Sequence, residues 1–244
     1  MVSSKIESSG SAVNIESPSD AISVSTRRLI RMGGLALFVG GVLWGLAEAA
    51  WGLLVLPSGD PSEYPQPIAT ILWVVLLAGF ISIMLGLPAL YVGQGQRGRR
   101  LGSIGFVVLF VGEALMVSLA GFGAFYQRGV AGLIVEAEGA GIAVEEPVMA
   151  VVGYLAAYLL HLLGWLLFGI AALRAQVLPR WPVVLAMVGP LLLMVGSASL
   201  SGAPPVLLVP LPLLGAVGVA WLGLALVGLE REGEIRMATT GQSS

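Results

Sequence analysis

The chain has 244 residues, 57% hydrophobic and only 11% charged, with a mean hydropathy of +0.95. A water-soluble domain carries about 25% charged residues, so most of this chain faces something other than water. The absence of cysteine excludes disulfides, thiolate metal sites and cysteine catalysis. A net charge of −2 argues against a nucleic-acid partner.

Residues 1–28 read as a loose tail, because the first 26 hold nine serines and few large apolar side chains. No short apolar core followed by a small-residue cleavage site is present there, so no signal peptide is expected. The first membrane span is expected over 29–56, flanked by Arg27, Arg28 and Arg31. Trp44, Gly45, Glu48 and Gly52 share one face of it. Gly41 and Gly45, four apart, let a neighbouring backbone come close. Glu48 reads as an interface side chain bonded to a tyrosine or to water.

A turn-rich loop from Pro57 to Pro67 leads to a second span over 68–92, which carries Pro88. Proline there removes one helix bond and is expected to kink the final turns. Arg97, Arg99 and Arg100 precede a third span, 101–126, and here the chain repeats itself. Residues 33–40 read GGLALFVG and residues 105–112 read GFVVLFVG; across 27–43 and 99–115, nine of 17 positions are identical. A weaker echo, GPLLLMVG, stands at 189–196. Three tandem helical hairpins in one orientation are therefore expected.

The long loop 127–147 carries Glu136, Glu138, Glu145 and Glu146 against the single base Arg128, and reads as a solvated loop. Its Leu133, Ile134 and Val135 suggest a short piece lying on the surface. The fourth span, 148–173, places Tyr154, Tyr158, His161 and Trp165 in one stripe, four, three and four residues apart. The fifth span, 183–200, contains Pro190, and the sixth, 205–229, starts among prolines, so its regular helix is expected only from about Pro212. Residues 230–244 read as a second loose tail.

With six spans, eleven of the twelve Lys and Arg residues fall on one side, and only Arg128 on the other. The positive-inside rule then puts both termini in the cytoplasm of a plasma or inner membrane. The expected fold is an all-α polytopic bundle of six transmembrane helices, residues 29–229.

One pair of residues stands out inside it. Glu113 lies 13 residues after Arg100, and His161, the only histidine, lies 13 residues before Arg174. At ~1.5 Å per residue both sit ~20 Å from the arginine surface, near the midplane. Neighbouring elements usually pack together, so the two are expected to face each other between spans three and four. On span three the matching face reads Phe106, Phe110, Glu113, Val117 and Ala120. The candidate midplane polar site is Glu113, His161, Tyr158, Tyr154 and Glu48.

No H-E-x-x-H, phosphate loop or G-x-S-x-G is present, and one histidine cannot ligate haem from both sides. No metal, cofactor or enzyme activity is expected. The opening run Gly34, Leu37, Gly40 and Gly41 behind arginines, and the Arg180-Trp181-Pro182 entry to span five, resemble the large set of uncharacterised six-span bacterial integral membrane proteins. That resemblance covers the spans and implies a fold but no activity. Two readings follow. The first is a non-catalytic scaffold or accessory membrane subunit whose partners are the bilayer and other membrane proteins or a second copy. The alternative is a small proton-coupled carrier using the Glu113/His161 pair, since ionisable groups at the midplane are costly.

Overall fold

The computed structural model describes residues 18–55, 66–94, 99–140, 148–199 and 210–241, and the regular structure among them is entirely α-helical. Helices α1 (Pro18–Leu54), α2 (Gln66–Gly93), α3 (Arg99–Phe125), α4 (Gln127–Gly139), α5 (Val148–Ala175), α6 (Arg180–Ser199) and α7 (Pro210–Gly241) follow one another along the chain. An apolar chain in hydrocarbon must satisfy its backbone internally, and helices do so within each segment. Five stretches are long and apolar enough to cross a membrane: Thr26–Leu54, Pro67–Gly93, Arg100–Phe125, Val151–Ala175 and Pro210–Gly228. In α6 the apolar stretch is the shorter Arg180–Leu192.

Six of the helices close a ring in chain order. Helix α1 packs on α2 and α7, α3 on α2 and α5, and α6 on α5 and α7, while α4 touches α3 lightly. The interior is filled by Leu37, Trp44, Phe80, Ile83, Leu109 and Trp165, among others. The outside is lined with large apolar side chains; Leu46, Leu85, Val107 and Leu155 are each more than half exposed. Against lipid such exposure is not penalised, so the hydrophobic effect cannot hold these helices together. Close van der Waals packing at small residues must do it instead.

Glycine supplies that packing, and the repeated motif shows how. A Cβ on Gly33 or Gly40 would run into Ala89 or Ile83 of α2. The same offsets in α3, Gly105 and Gly112, lie against the backbone of Phe168 and His161 in α5. Gly189 at the corresponding place in α6 lies against Gly215 of α7. The buried Leu37 fits beside Gly86 of α2, and the buried Leu109 fits beside Gly164 of α5. Gly41, in turn, admits the α7 backbone at Ala216 and Ala220. The close approach expected of Gly41 and Gly45 is therefore made by α7.

Several elements outrun the sequence reading. Helix α1 starts at Pro18, ten residues inside the segment expected to be a loose tail. Ser17-Pro18-Ser19-Asp20 carries proline at the first helical position and an acid in the first turn, both of which favour a helix start. Helix α7 begins at Pro210, where the first turn tolerates Pro210 and Pro212. It continues to Gly241 through the segment also expected to be loose, whose Glu, Arg, Met and Ala are good helix formers. The loop after α3 is largely taken up by α4, with Leu133 exposed. Helices α2 and α6 run through Pro88 and Pro190 without ending. Gln176, at φ 56°, turns the chain from α5 into α6 in the left-handed conformation common just past helix ends. The expectations for 57–65, for Glu145 and Glu146, and for Pro204 and Pro205 lie outside the described residues.

The glycine contacts predict a sharp contrast. A Cβ at Gly112 would lie 2.5 Å from the His161 backbone nitrogen, whereas nothing lies within 4 Å of one at Gly153. Gly112→Ala should destabilise the folded state by about 1–3 kcal/mol in reversible unfolding from mixed micelles. Gly153→Ala should be neutral within about 0.5 kcal/mol. Equal losses in the two variants would contradict glycine-mediated packing.

Candidate functional site

The contact between α3 and α5 sets the site. Because Gly112 admits the α5 backbone at His161, the adjacent Glu113 is brought against the imidazole. Glu113 Oε1 lies 3.1 Å from His161 Nδ1, with the two side chains 0% and 4% exposed. Trp165 Nε1, one helical turn along α5, donates to the same Oε1 at 3.2 Å. The His161 approach is off the hydrogen-bonding axis, and Glu113 Oε2 meets no partner among the described residues. The geometry is therefore one aligned indole bond plus a close electrostatic contact to the imidazole.

Aromatic rings encase the histidine. Trp44 of α1, Phe80 of α2 and Trp165 meet its ring nearly edge to face, with centroids 6.1, 6.3 and 6.4 Å away. Edge-to-face contact is a favoured aromatic geometry, and it fixes the imidazole between three helices. On the side towards Arg100 and Arg174 the pair is covered by the buried Leu109, Trp165 and Phe168. Further towards that end, the buried Gln94 donates from Nε2 to the Phe168 carbonyl at 3.4 Å. Tyr91 and Ser103 join α2 to α3 at 2.8 Å there.

The opposite side is less closed. Trp44 Nε1, one turn back on α1, donates to Glu48 Oε1 at 3.3 Å. Glu48, Trp44, Tyr158, His161, Met116 and Pro190 border a cavity of about 20 Å³, room for about one water molecule. A second, partly open cavity of about 260 Å³ is bordered by Glu48, Trp51, Trp73, Phe80, Tyr154 and Tyr158, with Met116 again part of the wall. Glu48, Met116 and Tyr158 border both. Glu113 borders neither, so His161 stands between the buried carboxyl and the cavities.

Of the five sequence-derived site residues, Glu113 and His161 are in contact. Tyr158 and Glu48 meet His161 around the small cavity, and Tyr154 joins Glu48 and Tyr158 around the large one. The α5 stripe is graded: Trp165 and His161 are buried, Tyr158 and Tyr154 each 40% exposed. On α3 the inward line is Gly105, Leu109, Gly112, Glu113, Met116 and Ala120, and Phe110 faces out. Of the expected face, Glu113 and Ala120 are buried and Phe106 and Val117 pack against the core, and Phe110 alone departs from it, because the tight contact with α5 is taken by the glycines. Sequence reading put Trp44 on the Glu48 face but not beside His161, and it missed Phe80, Met116 and Gln94. Trp44, Phe80 and Met116 come from separate spans and meet only in the folded ring. Among the described residues no group of three or more His, Asp or Glu could hold a metal.

The fold and this site are those of a helical membrane protein with an ionisable pair buried between two of its helices. No family model, curated protein or solved structure matches the chain.

The site makes a stability prediction. Glu113→Leu leaves Trp165 Nε1 buried without an acceptor and removes the electrostatic contact of His161, and should lower stability by about 1–3 kcal/mol. Glu113→Gln should lose less than half as much, since an amide oxygen still accepts. The same unfolding measurement reads both; equal losses would mean that the carboxyl oxygen contributes nothing through its contacts.

Proposed function

We propose that this protein is a six-span membrane protein built of three tandem hairpins, α1/α2, α3/α5 and α6/α7, with both termini in the cytoplasm. The eleven-to-one split of Lys and Arg supports the topology. The matched roles of Gly33, Gly105 and Gly189 support the hairpins. Helix α6 serves as the fifth span, since its 20 residues lie in the ring between α5 and α7. The likeness to six-span bacterial membrane proteins agrees with this plan, and the cell membrane is its proposed location.

Within that frame the best-supported function is a small proton-coupled carrier. One observation carries this reading: His161 touches the buried Glu113 on one side and borders a water-sized cavity beside Glu48 on the other. An imidazole can accept a proton on one ring nitrogen and release one from the other. His161 is thus suited to pass a proton from a cavity water to Glu113 and back. Residues facing this route from the packed helices are Glu48, Tyr154 and Tyr158. Transport then requires the covered arginine side to open in a second state, with α2 and α6 interrupted at Pro88 and Pro190, where the Met84 and Ala186 carbonyls lose their helical donors.

A scaffold or accessory-subunit reading stands second, favoured by the complete burial of Glu113 and the glycine-tight ring. Proton flux separates the two. In sealed proteoliposomes carrying a pH-sensitive dye, the wild type should move protons under an imposed gradient above the protein-free rate. Glu113→Gln should reduce that flux to the protein-free level while the protein still folds, because an amide does not titrate in this range. A fully folded Glu113→Gln that moves protons like the wild type, or a wild type that moves none, would leave only the scaffold.

A further inference from the structure

We propose that the cavity of about 260 Å³ at the end remote from the arginines binds a small organic cation: an ammonium or quaternary ammonium group on a ligand that also bears an oxygen acceptor. The proposal deepens the carrier reading and rests on it for the cation's being cargo; binding itself is tested apart from it.

The wall of the cavity carries the argument. Five aromatic side chains border it, Trp51, Trp73, Phe80, Tyr154 and Tyr158, together with one acid, Glu48, and no Lys or Arg. Aromatic faces attract cations through their ring quadrupole, most strongly where the cation is desolvated, and such cages are a recurrent way to hold quaternary ammonium. A single carboxylate in low dielectric adds charge selection and repels anions. A hard metal cation would need several oxygen ligands, and no group of three or more acidic or histidine side chains stands together among the described residues. The rest of the wall, Leu76, Met116, Leu119 and Ala120, is apolar and suits alkyl substituents on nitrogen.

Two details show a built site. Trp51 and Trp73 meet edge to face with centroids 5.1 Å apart. The Trp73 ring lies directly over Gly123, where any side chain would collide with it, so α3 leaves room for the indole. Trp73 Nε1 is buried without a partner among the described residues. An unsatisfied buried donor is costly, and because the Trp73 indole borders the cavity, a small turn of the ring would bring it to an oxygen on the ligand. Glu48 is held by Trp44 and borders both cavities, so a cation on Glu48 would sit one water-sized space from His161. Cation and proton would then compete through a shared carboxylate, which is how occupancy at one end could be felt at the other.

The test uses choline, which carries a quaternary nitrogen and a hydroxyl, and its neutral isostere with carbon in place of nitrogen. Purified full-length protein in nanodiscs is titrated with each, reading radiolabelled choline bound and its displacement. Saturable choline binding is expected, with the isostere at least tenfold weaker. Glu48→Gln, whose amide oxygen can still accept from Trp44, should weaken choline at least tenfold. Trp73→Phe should weaken it several-fold. No saturable binding to the wild type, equal affinity for the isostere, or unchanged binding in Glu48→Gln would each overturn the proposal. Choline binding with no Glu113-dependent proton flux would keep the cation site and remove the carrier. Glu113-dependent flux without choline binding would do the reverse.

Discussion

Everything in this structure has to accommodate one carboxyl group, that of Glu113, which lies fully buried in the helical ring. Removing an ionised carboxylate from water costs several kcal/mol unless donors replace the lost hydration. Here the replacements are one aligned bond from the Trp165 indole and the close electrostatic contact of the His161 imidazole, both from α5 and both at Oε1. They reach it only because α3 and α5 come together with backbone close to side-chain-free positions at Gly105, Gly112 and Gly164. The polar contact and the small-residue contact are therefore one requirement. A larger residue at Gly112 would separate the very atoms that make the buried acid tolerable.

The repeat sharpens that point by supplying an internal comparison. Gly40 of α1 lies against Ile83 of α2, and Gly112 of α3 lies against His161 of α5. The same slot in the same packing frame thus holds an apolar side chain in one helix pair and a titratable one in the other. The position before which each glycine stands differs in parallel: Gly41 gives its place to the α7 backbone, whereas Glu113 turns to the histidine. The frame needs neither polar residue. Placing both in only one helix pair adds cost with no gain in packing that the first pair lacks, which is why they point to function.

Much of this was legible in the residues, and the reasons differ by element. Long apolar runs bounded by arginines identify spans because hydrocarbon imposes length and composition at once. The Glu113–His161 contact could be read by counting residues from Arg100 and Arg174, since rise per residue fixes depth. The outward turn of Phe110 could not, because large aromatics and glycines compete for the inward face and the outcome depends on what α5 presents. Trp44 and Phe80 around His161 lie on helices distant in sequence, and their convergence is a product of ring closure. The extensions of α1 and α7 beyond the apolar runs leave no hydropathy signal; only helix propensity and the Ser17-Pro18 start speak for them. Gln94 resembles any polar residue just past a span until its bond to the Phe168 carbonyl is seen.

The central claim is that, in the state described, the ionisable pair communicates with water only from the face opposite the arginines. The chain contains no cysteine, so a single introduced thiol reports without background. Met116 borders both cavities, and Leu109, two turns nearer the arginines on the same helix, is fully buried. Met116→Cys and Leu109→Cys in sealed vesicles are exposed to a small membrane-impermeant thiol reagent from each face in turn. Met116→Cys is expected to react many-fold faster from the face opposite the arginines than from the arginine face, and Leu109→Cys to react slowly from both. A Met116→Cys that reacts as fast from the arginine face, or from no face at all, would contradict the one-sided opening.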